Sequence, residues 1–199
     1  FHEWMFFISV GACIPLIANS SNSIELASTI IYSIGVCMMF GFSALYHRVD
    51  WRSRVLIIMR RLDHSAIFVM IAGSFTPICL LVLPGNTGIQ LLFIIWIIAG
   101  IGILQTVLFT ETPRLIRAGI YLVAGYMAIP YLSVMFSVMS MTNFILTAAS
   151  GTIYTIGAIG YGFQFPDISP KFFGYHEFFH ILVSIAAVLH FIVIYSIVG

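Results

Sequence analysis

The sequence predicts an all-α integral membrane protein, a bundle of seven transmembrane helices, on three observations. First, 61% of its 199 residues are apolar and only 8% are charged, against about 25% charged in soluble domains. So few charges cannot cover a water-soluble globule, and the mean hydropathy of +1.09 agrees. Second, apolar runs near the ~20 residues that cross about 30 Å of hydrocarbon recur seven times. Third, with seven spans all eight Lys and Arg residues fall in loops on one side. The positive-inside rule makes that side cytoplasmic, which places the N-terminus in the cytoplasm and the C-terminus outside.

The first span runs from about Trp4 to Ala18 and ends at the polar cluster Asn19 to Ser23. The second, about Ile24 to Tyr46, stops at His47-Arg48-Val49-Asp50. A basic stretch to Arg61 leads into the third, about Leu62 to Leu83, which Pro84-Gly85-Asn86-Thr87-Gly88 closes as a turn. The fourth covers about Ile89 to Phe109, before Thr110-Glu111-Thr112-Pro113-Arg114. The fifth, about Ala118 to Val138, ends at Ser140 to Asn143. The sixth, about Phe144 to Gly162, precedes Pro166-Asp167-Ile168-Ser169-Pro170-Lys171, and the seventh runs from about Gly174 to Val198. Pro15, Pro77 and Pro130 read as kinks, and Gly100, Gly102, Gly157, Gly160 and Gly162 as sites of close helix packing. Short loops and no visible repeat make residues 1–199 one helical domain.

Several function classes drop out. There is no basic tract or basic–aromatic patch, so nucleic acid is not an expected partner. Cys13, Cys37 and Cys79 lie inside apolar runs and read as packing residues rather than a disulfide framework. The opening stretch lacks a basic n-region and begins with Phe1, so it reads as a true span with trimmed ends rather than a signal peptide.

An ionisable side chain at the bilayer centre costs at least about 2.5–3.5 kcal/mol, which makes each one a functional candidate. His47 ends span two, Asp63 and His64 begin span three, and His176, Glu177 and His180 begin span seven. The topology puts His47, Asp63, His176 and His180 at one depth, at the cytoplasmic ends of three helices. His176 and His180 are spaced i, i+4 and share a helix face. Three nitrogens with one open position are the pattern of catalytic zinc, although imidazole also suits copper, iron and nickel. Asp63 is then either a fourth ligand or a general base, and Ser43, one turn before His47, either donates to a developing oxyanion or orients a ligand. Glu177 points about 100° from His176, toward headgroups or a second-shell partner. His64 is expected to make an interfacial hydrogen bond. His190 lies about 21 Å along the helix from His176, too far to share an ion, and reads as a helix–helix hydrogen-bonding residue. His2 and Glu3 stay open.

Three stretches taken together resemble the haemolysin III family, the bacterial branch of the progestin and adipoQ receptors. They are Ser43-Ala44-Leu45-Tyr46-His47, Arg61-Leu62-Asp63-His64-Ser65 leading into Gly73-Ser74-Phe75-Thr76-Pro77, and Phe173-Gly174-Tyr175-His176-Glu177-Phe178-Phe179-His180. The resemblance implies seven helices with a cytoplasmic N-terminus in the plasma (bacterial inner) membrane. It implies zinc on His47, His176 and His180, with Asp63 holding the metal through water and Ser43 beside it. It implies metal-dependent hydrolysis of a lipid amide or ester, with membrane lipids or a fatty acid as partners and a part in lipid homeostasis. One departure is that Glu3 follows His2, where the family's acidic residue precedes its histidine. Two other readings stand beside the hydrolase: a receptor or sensor of membrane state with a structural zinc, and a cytolytic pore. The pore is disfavoured because the intramembrane charges cluster at one end.

Overall fold

A computed structural model describes residues 2–109, 111–166 and 174–198. The expected loop residues Thr110 and Asp167 to Lys171, with Phe173 of the third motif and the terminal Phe1, lie outside the described residues.

Every described element is helical. The helices are α1 (His2–Ala18), α2 (Ser23–Arg48), α3 (Ser53–Pro77), α4 (Gly85–Leu108), α5 (Arg114–Tyr126), α6 (Leu132–Val138), α7 (Met141–Phe163) and α8 (Tyr175–Ser196). Six continuous or nearly continuous segments are long and apolar enough to cross a membrane: α2, α3 with its extension to Val82, α4, α5–α6, α7 and α8. The 17-residue α1 is apolar but shorter, near the lower limit for a span. Together they make the expected seven.

Local chemistry sets the helix ends. The Asn22 side chain accepts from the backbone N–H groups of Ile24 and Glu25, both at 3.0 Å. The Glu25 carboxylate reaches back to the Ser21 N–H at 2.7 Å. These bonds satisfy donors that a helix start leaves open. Ser140 caps α7 through the Asn143 N–H at 3.2 Å. At α8, Glu177 accepts the Gly174 N–H at 3.0 Å and so caps the helix start, a role the sequence reading did not give it.

The prolines behave unequally. Pro77 cannot donate to the helical ladder, and the chain beyond it widens into a π-helical turn over Ile78–Val82. Pro130 sits in a single 3₁₀ turn, Ile129–Tyr131, that breaks the fifth span into α5 and α6. α1 continues through Pro15 as one helix. One correction concerns α3. It begins at Ser53, nine residues before the expected Leu62, so Asp63 lies well inside the helix and not at its first turn.

α3 is the central helix and packs against α2, α4, α5 and α8. Around it the chain closes on itself, with α1 on α2, α5 on α7, α7 on α8 and α8 back on α1. Tyr32, Phe40, Phe68, Leu91, Ile95 and Met135 are fully buried, while Trp4, Phe93, Ile97, Ile101 and Phe163 face outward. Large apolar side chains on the surface are what a hydrocarbon solvent demands. The three cysteines are free, as expected.

Gly102 makes the closest of the predicted helix contacts: a Cβ there would overlap the ring of Phe68, itself buried on α3. Gly157, Gly160 and Gly162 also meet neighbouring chain, but Gly100 faces open space, a correction to its expected role. Gly102→Ala is therefore expected to cost about 1–3 kcal/mol, the usual range for overpacking, whereas Gly100→Ala costs nothing. Thermal unfolding in detergent, run on both variants, checks this.

Candidate metal centre

The end of α2 meets the start of α8. His47 is the penultimate residue of α2, and His176 and His180 occupy the first two turns of α8. The His47 and His176 Nε2 atoms are 3.2 Å apart, and those of His176 and His180 are 2.8 Å apart. One nitrogen from each ring falls within 4.8 Å of the others. Ligands of a tetrahedral site with bonds of 2.0–2.1 Å stand about 3.3 Å apart, and two of the three nitrogen pairs come within about half an ångström of that separation. The chemistry fits as well. Three lone-pair-bearing nitrogens turned toward one point repel one another unless a cation or shared protons lie between them.

His180 shows how the ring is held. With Nε2 turned to His176, its Nδ1 faces the His2 ring, whose nearer nitrogen is 2.7 Å away. The outward nitrogen of a ligating histidine needs such a partner to fix its tautomer and orientation. His2 is buried on α1 and packs edge-on against both His180 and Phe40. Nothing in the local sequence signals this role, because the partner arrives from the opposite end of the chain. His2→Ala is expected to keep the metal stoichiometry while weakening affinity by about 10–100-fold, as measured by competition with a chelator.

Asp63 stands outside the three-nitrogen set. It is buried, with the Ser43 hydroxyl as its hydrogen-bonding neighbour and the charge of Arg117 nearby. Ser43 is itself buried, one turn before His47 on α2.

The remaining charged residues have separate tasks. His64 Nε2 lies 3.1 Å from Arg117 Nη1. This is the expected hydrogen bond, but its partner is a buried arginine and not the interface, and His64 lines the same cavity as Asp63. Arg117 also donates to the Thr112 carbonyl at 2.8 Å. An arginine read only for orientation thus braces His64, which lines the site. Arg114 reaches the Tyr175 hydroxyl at 2.8 Å. These contacts place Arg114 and Arg117 of α5 at the end of the bundle that carries the histidines. Glu3 pairs with Arg48 near the surface. His190, fully inside the bundle, bridges α7 and α3 through Ser150 and the Ser74 carbonyl, as expected of a helix-linking residue.

Two cavities meet at the histidines. One, of about 400 Å³, opens outward between Glu3, Arg48 and Glu177. The other, of about 180 Å³, runs into the bundle between apolar walls that include Ile67, Ile71, Phe179 and Val183. His2, Ser43, His47, His176 and His180 line both. Asp63 lines only the inner one. The inner cavity reaches the bundle surface between α5 and α7, where the exposed Tyr126 donates to or accepts from Thr155 at 3.0 Å.

Comparison with known proteins agrees with this architecture. The family model described as "Haemolysin-III related" matches residues 1–191. The chain is 31% identical over 157 residues to "Hemolysin-3 homolog" of Bacillus subtilis, covering 77% of this chain and 73% of that protein. It is 32% identical over 157 residues to "Hemolysin-3" of Bacillus cereus, covering 76% and 70%. It is 27% identical over 184 residues to human "Monocyte to macrophage differentiation factor", covering 89% and 73%.

Proposed function

This chain belongs to the haemolysin-III-related family of multi-pass membrane proteins, and from that premise we propose that it is a zinc-dependent hydrolase of membrane lipid amide or ester bonds. The observation that carries the reading is the position of the three imidazoles, at the junction of an outward-opening polar cavity and an apolar inner one. A lipid chain and a water molecule can meet there.

His47, His176 and His180 would hold the ion, and His2 would keep His180 turned toward it. Such an ion, when bound, polarises a carbonyl oxygen and acidifies a water. The chain's own residues do the rest. Asp63 takes up the proton of the attacking water at its carboxylate and returns it to the leaving nitrogen or oxygen, so that O–H adds to the acyl carbon as the amide or ester bond breaks. Once Asp63 has taken up that proton it no longer needs the Ser43 hydroxyl, which is then able to donate a hydrogen bond to the oxygen that gains charge. Ile67, Ile71, Phe179 and Val183 hold the acyl chain and keep bulk water out of the inner cavity. The exposed seam between α5 and α7 supplies a route from the bilayer.

Purified protein loaded with zinc should release fatty acid from at least one member of a panel of ceramides and phospholipids. No release across the panel, from protein with one metal per chain, would count against hydrolysis. A second reading has its own support: an ion on His47, His176 and His180 ties α2 to α8, which is what a sensor of membrane state with a structural metal requires.

A further inference from the structure

The inner cavity is polar at both ends and apolar between them. At its far end His190, Ser150 and Ser74 line the wall, from α8, α7 and α3. All three are buried, with His190 4% exposed and Ser150 1% exposed. The separation from the metal end agrees on each helix at 1.5 Å per residue. His180 to His190 on α8 is about 15 Å, Asp63 to Ser74 on α3 about 16 Å, and Tyr161 to Ser150 on α7 about 16 Å. Tyr161 marks the near end because its ring lies 6.1 Å from that of His176.

The far end has room for one more donor. His190 Nε2 faces the Ser74 carbonyl at 3.2 Å, an acceptor only, so Nε2 carries the proton and Nδ1 a lone pair. The Ser150 hydroxyl is that lone pair's partner at 3.3 Å, yet the same hydroxyl donates to the Thr147 carbonyl at 2.8 Å. Ser150 has a single proton, and the shorter contact takes it. An incoming O–H that donates to His190 Nδ1 adds a hydrogen bond and breaks none. The Ser74 hydroxyl has only the Met70 sulfur at 3.6 Å, a weak acceptor, and can turn to a ligand oxygen.

We propose that His190, Ser150 and Ser74 form a second polar subsite, which selects an acyl chain bearing a hydroxyl group about 15 Å from its metal-facing carbonyl. The inference rests on the reading of the inner cavity as an acyl-chain site. A plain chain of that length puts a methyl group against these polar atoms and leaves the spare acceptor unmet. At about 1.5 Å per C–C bond, shortened by the zigzag, a chain of about twelve carbons spans the distance.

The test compares dodecanoic acid with its terminally hydroxylated derivative, neither of which can be hydrolysed. Binding of each to the full, zinc-loaded chain is measured by calorimetric titration in detergent. The hydroxylated acid is expected to bind about tenfold more tightly to the wild type, the gain of one net buried hydrogen bond. Ser74→Ala, which removes the hydroxyl that can turn to the ligand oxygen and keeps the backbone carbonyl facing His190, should lower that preference severalfold. His190→Phe should abolish it while leaving dodecanoic acid binding in place. Thermal unfolding reports whether each variant is folded, and Ser74→Ala alone decides if His190→Phe is not. Equal binding of both acids to the wild type, or a preference that survives in the folded variants, overturns the subsite and leaves the acyl-chain reading intact. Failure of both acids to bind overturns the subsite and the acyl-chain reading together.

Discussion

His176→Ala is expected to empty the metal centre: elemental analysis should fall from about one zinc per chain to near zero. His176 is the middle member of the cluster, with Nε2 within 3.2 Å of the corresponding atoms of both His47 and His180. Without it the two remaining nitrogens come from different helices with nothing between them. Stability should register the loss. A ligand at a hundredfold excess over its dissociation constant stabilises the folded state by about 2.7 kcal/mol, which for a chain of this size is roughly 5–10 °C in melting temperature. Added zinc should raise the wild-type melting temperature by that amount and leave the variant unmoved. A full equivalent of zinc in purified His176→Ala would remove these histidines as the metal's holders.

How much of this was legible beforehand varies from element to element. Seven spans and their shared basic end could be read because hydrocarbon imposes a length and the arginines segregate. The start of α3 could not. Arg52, Arg54, Arg60 and Arg61 interrupt hydropathy, yet Val55 to Ile58 continue the helix, and a helix is free to extend past the bilayer into water. The break at Pro130 and the turn after Pro77 followed from a missing N–H, whereas Pro15 left α1 unbroken.

The site divides along a similar line. His176 and His180 carry their relation in their spacing, and topology brings His47 to the same level. His2, Arg117 and the distal Ser150–His190 pair acquire meaning only from tertiary contact, because each meets residues 40 or more positions away. Glu177, which sequence left between headgroups and a supporting contact to a ligand, takes a third role as the cap of α8 through a bond to the Gly174 N–H. Gly100 and Gly102 show the limit most simply. They sit two residues apart in the same apolar helix, and only the identity of the facing surface, lipid for one and Phe68 for the other, separates them.

Asp63→Asn separates chemistry from architecture. The substitution keeps the shape of the side chain and its ability to hydrogen-bond with Ser43, and removes the carboxylate's capacity to take a proton. Since Asp63 lies outside the three-nitrogen set, zinc content should stay at one per chain and the melting temperature should hold or rise, because a buried carboxylate costs more than a buried amide. Lipid hydrolysis should fall by about 10²–10⁴-fold, the usual contribution of a positioned general base. His176→Ala loses metal, stability and activity together, so it cannot distinguish a catalytic ion from a structural one. Asp63→Asn can, because the two readings disagree about it. A hydrolase loses its rate with its metal intact, while a sensor whose zinc merely ties α2 to α8 keeps its response. If fatty-acid release by the variant matches wild type at equal zinc content, the proton is handled elsewhere and the hydrolytic role of Asp63 is wrong.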